Sequence, residues 1–166
     1  MRKPKHSHSD NDIIYTPENV AKKCISKIPY SENDSWCDPC FGGGVFYNNF
    51  PTENKEWFEI QKGKDFLQCS NTYDWVVTNI PFSMPKVFIE KMSDVCIKGF
   101  GILCLSNSMT VSRLEMLEKK GLYLNSTIFL YIRDWGFGYR TEFMTFTKQK
   151  NESFEYVITP KTIRQQ

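Results

Sequence analysis

A polar amide and an aromatic ring follow the most apolar segment of the chain. Residues 74–78 predict an apolar strand of the kind found in the middle of a parallel sheet, and the next four residues are Asn79, Ile80, Pro81 and Phe82. Open α/β sheets bind ligands at the carboxyl ends of their strands. There an amide oxygen can accept hydrogen bonds from an amino group, and an aromatic ring can stack on a planar substrate. Taken alone, the segment is also typical of an ordinary strand-to-loop turn.

A glycine-rich loop and a later acid together suggest a nucleoside site. Asp38 and Pro39 lead from a predicted strand into three glycines at positions 42–44, which let the backbone approach a ligand closely and adopt unusual dihedral angles. The loop lacks the Gly-Lys-Ser/Thr ending of a phosphate-binding loop. Glu59 follows at the predicted end of the next strand. In a nucleoside-binding α/β fold, an acid at that place can accept hydrogen bonds from both ribose hydroxyls.

Further candidates come from three other segments. Asp65 and Phe66 pair a carboxylate with an aromatic ring, and this pair can hold an adenine amino group and its ring face. Ser106 follows another predicted strand and could line a target pocket. The loop at 135–140 carries Trp135 and Arg140, which are useful contacts for unpaired bases, although a hairpin loop packed on the sheet would have the same composition.

Hydrophobic periodicity predicts the elements that position these residues. Helices are predicted over residues 17–28, 45–49, 85–97 and 111–120, with Thr16 as N-cap of the first. Strands are predicted at 35–37, 56–60, 74–78, 101–105, 126–132 and 142–147, with 65–67 in or beside another. This alternation predicts an α/β fold with a mainly parallel sheet. The last two strands have no helix between them, so they are expected to pair antiparallel.

The overall composition narrows the classes of protein that are possible. The chain has 166 residues, 40% of them hydrophobic and 24% charged, which fits one soluble globular domain. Its net charge of +2 gives no strong nucleic-acid signal, so a basic footprint must come from the N-terminal tail or from local patches. Cys37 and Cys40 form a C-x-x-C pair, but there is no second pair and no nearby histidine, so no metal site is predicted. No apolar run approaches the roughly 18 residues of a membrane span.

Taken together, the motifs resemble the amino-methylating family of S-adenosylmethionine (SAM)-dependent methyltransferases, especially adenine-N6 methyltransferases of phage and restriction type. The loop that begins at Asp38 is similar to the family's D-P-x-x-G-x-G motif, and residues 79–82 are similar to its [D/N/S]-P-P-[Y/F/W] catalytic motif. The resemblance extends over residues 13–147. Ile80 replaces the first proline of the catalytic motif, a position that contributes its backbone carbonyl in the family.

This resemblance implies a Rossmann-like class I methyltransferase fold: a mainly parallel seven-stranded sheet with an antiparallel terminal strand. It implies that SAM is the cofactor and that no metal takes part. The implied catalytic residues are Asn79, Ile80, Pro81 and Phe82. The implied cofactor-binding residues are Tyr15, Thr16, Asp38, Pro39, Gly42, Gly44, Glu59, Asp65, Phe66 and Asn79. The expected substrate contacts are Phe82, Ser106, Trp135 and Arg140.

The domain organisation follows from the same motifs. We expect a flexible basic tail over residues 1–12, a catalytic domain over 13–150 and a C-terminal extension over 151–166. Because Asp65 and Asn79 are so close in sequence, helices that flank those strands elsewhere in the family must be short or missing. No segment remains for a separate recognition domain. Target recognition is therefore expected from the tail, the loops, a partner subunit or a homodimer.

The expected substrate is a nucleic acid, with DNA favoured over RNA. The expected location is the cytoplasm, which is that of the host if the protein is from a phage or virus, and no membrane association is expected. Two alternatives stay open. The same catalytic motif serves protein glutamine and guanine amino methyltransferases, and a degenerate methyltransferase fold can act as a binding subunit.

Overall fold

The computed structural model describes residues 14–132, 135, 141–153 and 155–158. Its strands are β1 (Trp36–Asp38), β2 (Lys55–Trp57), β3 (Tyr73–Asn79), β4 (Cys96–Leu105), β5 (Tyr123–Leu130), β6 (Thr141–Thr147) and β7 (Glu155–Ile158). They form one sheet in the order β2-β1-β3-β4-β6-β5-β7. Strand β6 is antiparallel to both of its neighbours, and the other pairs are parallel. The predicted α/β fold with a mainly parallel sheet is confirmed.

Helices cover both faces of this sheet. They are α1 (Glu18–Ile25), α2 (Val45–Asn48), α3 (Pro85–Val95) and α4 (Val111–Lys119). Side chains alternate between the two faces of a strand, so Trp75 and Val77 of β3 join the core beneath α1 and α2, whereas Val76 joins the core beneath α3 and α4. Burial on both faces explains why β3 is apolar almost throughout. None of the described helices is long and apolar enough to cross a bilayer.

Several local predictions are confirmed at the level of elements. The four helices form where periodicity places them, and the last two predicted strands pair antiparallel as β5 and β6. Between β2 and β3 the described chain has no α-helix, as the short spacing from Asp65 to Asn79 predicts. The antiparallel strand is not the last one along the chain, because β7 follows it and pairs parallel with β5. Strand β7 lies in the segment expected to be an extension, where the sequence pattern predicts no strand.

Two local predictions are wrong, each because a side chain makes a different hydrogen bond. Pro17, with φ −61° and ψ 144°, occupies the N-cap position of α1, and no side chain caps that helix. The Thr16 hydroxyl accepts a hydrogen bond from Asn79 instead. Residues 65–67 do not form a strand: the Asp65 carboxylate accepts the Leu67 N–H at 2.9 Å and caps a single 3-10 turn, Phe66–Gln68.

Candidate functional site

A cavity of about 900 Å³ opens at the carboxyl ends of β1 and β3. Its volume lies at the upper end of the range for small-molecule sites. The sequence-predicted residues that line it are Tyr15, Thr16, Pro39, Gly42, Glu59, Asp65, Phe66, Asn79, Ile80, Pro81 and Phe82. These residues come from separate segments of the chain between positions 15 and 82, and the parallel sheet brings them to one edge.

The glycine loop forms one wall of the cavity and needs glycine for steric reasons. Gly42 and Gly44 have φ angles of +50° and +78°, values that strain residues with a side chain. A Cβ atom on Gly44 would lie 2.6 Å from Cζ of Phe41. The loop is attached to Glu59, whose Oε2 accepts the Gly42 N–H at 2.9 Å.

Glu59 lies just past β2, rather than at the strand's end as predicted, and caps the turn that follows. Its Oε1 accepts the Gln61 N–H at 3.3 Å. An ionised carboxylate has about four acceptor positions on its two oxygens, so these two backbone bonds leave acceptor capacity on a side chain that lines the cavity. This arrangement suits a diol with two hydroxyl donors.

Asp38 lies beneath the loop and does not line the cavity. It is completely buried, and its carboxylate accepts hydrogen bonds from the Thr78 hydroxyl at 2.6 Å, the Cys40 N–H at 3.2 Å and the Tyr47 N–H at 3.3 Å. Burial raises the pKa of Asp38 to about 6, and these three hydrogen bonds oppose that rise. In this structure Asp38 therefore ties the start of the loop to β3 and α2 rather than facing the cavity.

The Asn79 amide has a fixed orientation. Its Nδ2 donates to the carbonyl of Ile14 and to the hydroxyl of Thr16, each at 3.2 Å. Because a carbonyl can only accept, the Ile14 contact requires the NH₂ end of the amide to face residues 14–16. The Oδ1 atom is left buried, without a hydrogen-bond partner among the described residues, on a side chain that lines the cavity.

The residues after Asn79 build the rest of that corner. The Ile80 side chain is buried, and its N–H donates to the Leu103 carbonyl at 3.3 Å, which keeps the segment attached to β4. The Ile80 carbonyl accepts no backbone hydrogen bond from the described residues. Pro81 closes a turn in which its carbonyl accepts the Met84 N–H at 3.1 Å. At the position where the resemblance places a proline, Ile80 therefore has a carbonyl with no backbone donor among the described residues.

Three aromatic residues are linked near this corner. The Phe82 ring contacts the Trp135 ring edge to face, with centroids 6.1 Å apart, and Trp135 Nε1 donates to the Tyr15 carbonyl at 3.2 Å. Tyr15 itself is 69% exposed, and its ring lies against the backbone of Gly43. Trp135 is thus joined to the site by its contacts with Phe82 and Tyr15, although it does not line the cavity itself.

Other predicted residues lie elsewhere. Gly44 supports the loop but does not line the cavity, and Ser106 is exposed in a 3-10 turn (Ser106–Ser108) away from it. Arg140 lies outside the described residues. The described residues contain no cluster of three or more potential metal ligands, and burial raises the pKa of the Cys37 thiol well above its ordinary value.

Sequence patterns missed an apolar part of the cavity wall, formed by Phe41, Ile60, Met84, Val87 and Phe88. Ile60 and Val87 are 51% and 39% exposed, which is unusual for aliphatic side chains beside a core. Their sequence patterns are typical of an ordinary strand and an ordinary helix. The signals in the sequence that could have identified them are the position of Ile60 next to Glu59 and the position of Val87 on α3. Lys62 also lines the cavity and was not singled out by its sequence context.

Comparisons with known proteins agree on the fold. No protein-family model and no curated protein sequence matches this chain. A Listeria monocytogenes protein assigned as a class I SAM-dependent methyltransferase superposes with a TM-score of 0.66 at 14% identity, over 93% of this chain and 68% of that one. A Pyrococcus horikoshii protein assigned as an RNA methyltransferase gives 0.63 at 16% identity, over 80% and 84% of the two chains.

A third match is a Vibrio vulnificus protein assigned as the modification subunit of a type I restriction enzyme. Its TM-score is 0.64 at 10% identity, and this chain covers about half (49%) of that subunit. Other structures with this fold were solved with SAM or with adenosine bound. At such identities the likeness concerns architecture, and the chain has the fold of class I methyltransferases.

Proposed function

We propose that this chain is a SAM-dependent methyltransferase that acts on an amino nitrogen, with N6 of adenine in a nucleic acid as the preferred target. The observation that carries the proposal is the fixed Asn79 amide, whose buried Oδ1 has no hydrogen-bond partner among the described residues and would accept an N–H group of the substrate. The fold supports the coarser part of the proposal, because its structural neighbours include SAM-dependent methyltransferases.

The cavity suits the cofactor. The Glu59 carboxylate would accept hydrogen bonds from the ribose hydroxyls, Asp65 would accept one from the adenine amino group, and the Gly42 backbone would lie against the nucleoside. When bound, SAM supplies a methyl group made electrophilic by its sulfonium centre. The protein's task is then to position and assist the amine.

The corner at Asn79 would assist the amine in a simple way. The lone pair of an exocyclic amino group is delocalised into its ring and is a poor donor. Hydrogen bonds from the two N–H groups to Asn79 Oδ1 and to the Ile80 carbonyl would favour a tetrahedral nitrogen, which restores the lone pair's nucleophilic character. An amide is not a base, so the surplus proton would leave for solvent after transfer. Phe82 would stack on the base once it has left its helix.

Calorimetry with SAM tests the cofactor part of the proposal. We expect the wild-type chain to bind SAM and Glu59→Ala to weaken binding by about 10- to 100-fold, because hydrogen bonds to a charged group contribute about 1.5–3 kcal/mol. Glu32→Ala removes an exposed carboxylate outside the cavity and should bind as wild type does. If wild-type protein shows no binding, the enzymatic proposal is wrong, and the fold serves as a binding subunit.

Tritiated methyl transfer into DNA, RNA and protein pools then tests the substrate. Adenine N6 should carry the label, and Asn79→Ala should reduce transfer at least 100-fold while SAM still binds. The matched control is Asn107→Ala, an exposed amide beyond the carboxyl end of β4 that does not line the cavity. Label on guanine or on protein glutamine would replace the adenine assignment, and unchanged turnover in Asn79→Ala would show that the Asn79 amide does not assist the amine.

A further inference from the structure

Two lysines and two aromatic rings form a surface beside the cavity, here called the lysine–aromatic surface and defined as Phe41, Trp57, Lys62 and Lys64. The rings lie 4.8 Å apart between centroids. The Lys62 ammonium lies 4.3 Å from the centroid of Phe41, and the Lys64 ammonium lies 4.3 Å from the centroid of the large Trp57 ring. Both lysines are exposed and both rings are partly exposed.

Local structure explains how this surface forms. Trp57 ends β2, which is the edge strand of the sheet on this side. The chain then reverses through the turn that Glu59 caps, and a bridge between Glu59 and Lys64 returns it to the same place. The turn therefore places Lys62 and Lys64 over the ring of Phe41, from the glycine loop, and the ring of Trp57, from β2. Phe41 and Lys62 also line the cavity, so the surface is continuous with its rim.

The charge of the lysine–aromatic surface is positive. Neither ammonium forms an ion pair with a carboxylate among the described residues. The acids in the same turn, Glu59 and Asp65, accept backbone N–H groups and line the cavity instead. Because the chain as a whole carries a charge of only +2, the positive charge of these two ammonium groups is a local feature, and it favours an anionic partner.

We propose that the lysine–aromatic surface binds single-stranded nucleic acid next to the cavity, an inference that rests on the proposed action on nucleic acid. Aromatic faces with adjacent cations are suited to unpaired bases, whose rings stack while phosphates take the charges. A cation over an exposed ring contributes about 0.5–1 kcal/mol, whereas a stacked base contributes about 1–3 kcal/mol. A base therefore displaces the ammonium from the ring, and the flexible lysine turns to the phosphate beside it. A duplex keeps its base faces covered and gains only the charge contacts.

Fluorescence anisotropy with labelled 20-nucleotide single strands of DNA and RNA, and with the matching DNA duplex, tests this inference without SAM. The variants are Lys62→Gln/Lys64→Gln and Trp57→Leu. The control pair, Lys22→Gln/Lys119→Gln, removes two exposed lysines of α1 and α4 with the same change in net charge. Circular dichroism melting shows that each variant is folded.

We expect Lys62→Gln/Lys64→Gln to bind single strands about tenfold more weakly than the control pair. Its slope of log affinity against log salt should fall by about 1.4, the value for two phosphate contacts on a single strand. Trp57→Leu should weaken binding of single strands at least fivefold and change duplex binding little. Equal losses in the two lysine pairs, a preference for duplex, or the absence of single-strand binding by the wild type would overturn the inference. SAM binding is measured separately, so failure here leaves the proposed methyltransferase function standing.

Discussion

The buried carboxylate beneath the glycine loop makes protein stability depend on pH. Asp38 is fully buried and its pKa is raised from 3.8 to about 6, chiefly by burial. Between those two pH values the folded chain therefore holds a proton that the unfolded chain releases. The free energy of unfolding consequently falls as pH rises from about 4 to above 6, and the loss from this group amounts to about 3 kcal/mol.

Asp38→Asn isolates this contribution. The uncharged amide oxygen can still accept from the Thr78 hydroxyl and the Cys40 N–H, but its NH₂ group then faces the Tyr47 N–H, which is a donor. We expect a pH-independent loss of about 1–3 kcal/mol from this unfavourable pair. In addition to this constant loss, the free energy of unfolding of the variant should rise by about 3 kcal/mol relative to that of the wild type between pH 4 and pH 7.5, because the variant has no proton to lose at this position.

Urea unfolding followed by tryptophan fluorescence, at several pH values from 4 to 7.5, measures the difference between the two proteins. The other titrating groups are shared and cancel in that difference. A difference in the free energy of unfolding that narrows or reverses as pH rises supports a raised pKa for Asp38. A difference that stays constant across the range would show that Asp38 titrates near its ordinary pKa, and that its hydrogen bonds from Thr78, Cys40 and Tyr47 offset the cost of burying its charge.

Two further predictions concern residues that shape the cavity. Gly44→Ala should lower the Tm more than Gly63→Ala does, by the equivalent of about 1–2 kcal/mol. Both glycines have a positive φ, +78° and +75°, but a Cβ added to Gly44 would contact Phe41, whereas a Cβ added to Gly63 has no atom within 4 Å. Equal losses of Tm in the two variants would mean that the Phe41 ring can move away from the added Cβ without a cost in stability. Thr16→Val should lower the kcat of methyl transfer about tenfold, because Asn79 Nδ2 loses one of its two acceptors, and Thr16→Ser should restore it. Failure of serine to rescue would show that Thr16 acts through packing.

Much of the architecture could be predicted because its signals are local. The apolar run of β3 reflects burial on both faces of the sheet, and the period of α3 places Phe88, Ile89 and Met92 in the core. Gly121, with φ +70°, follows α4 where the pattern ends it. Strand β7 could not be predicted in this way, since what makes residues 155–158 a strand is the free edge of β5, which forms only after the sheet has assembled.

The sequence by itself determined which residue types reach the carboxyl edge of the sheet. The glycine loop and Glu59 follow strands, Asn79 is the last residue of one, and parallel strands end at the same edge. Only the tertiary structure decided what their atoms do there. Within its own segment Thr16 is typical of a helix cap, yet its hydroxyl accepts a hydrogen bond from an amide 63 positions away. That contact leaves Asn79 Oδ1 buried and without a partner among the described residues. The sequence motif predicts that Asp38 contacts the cofactor, but in the structure its buried carboxylate accepts a hydrogen bond from the loop and does not line the cavity. The physical reason is that a hydrogen bond's direction depends on groups brought together by folding, whereas strand and helix patterns reflect neighbours along the chain.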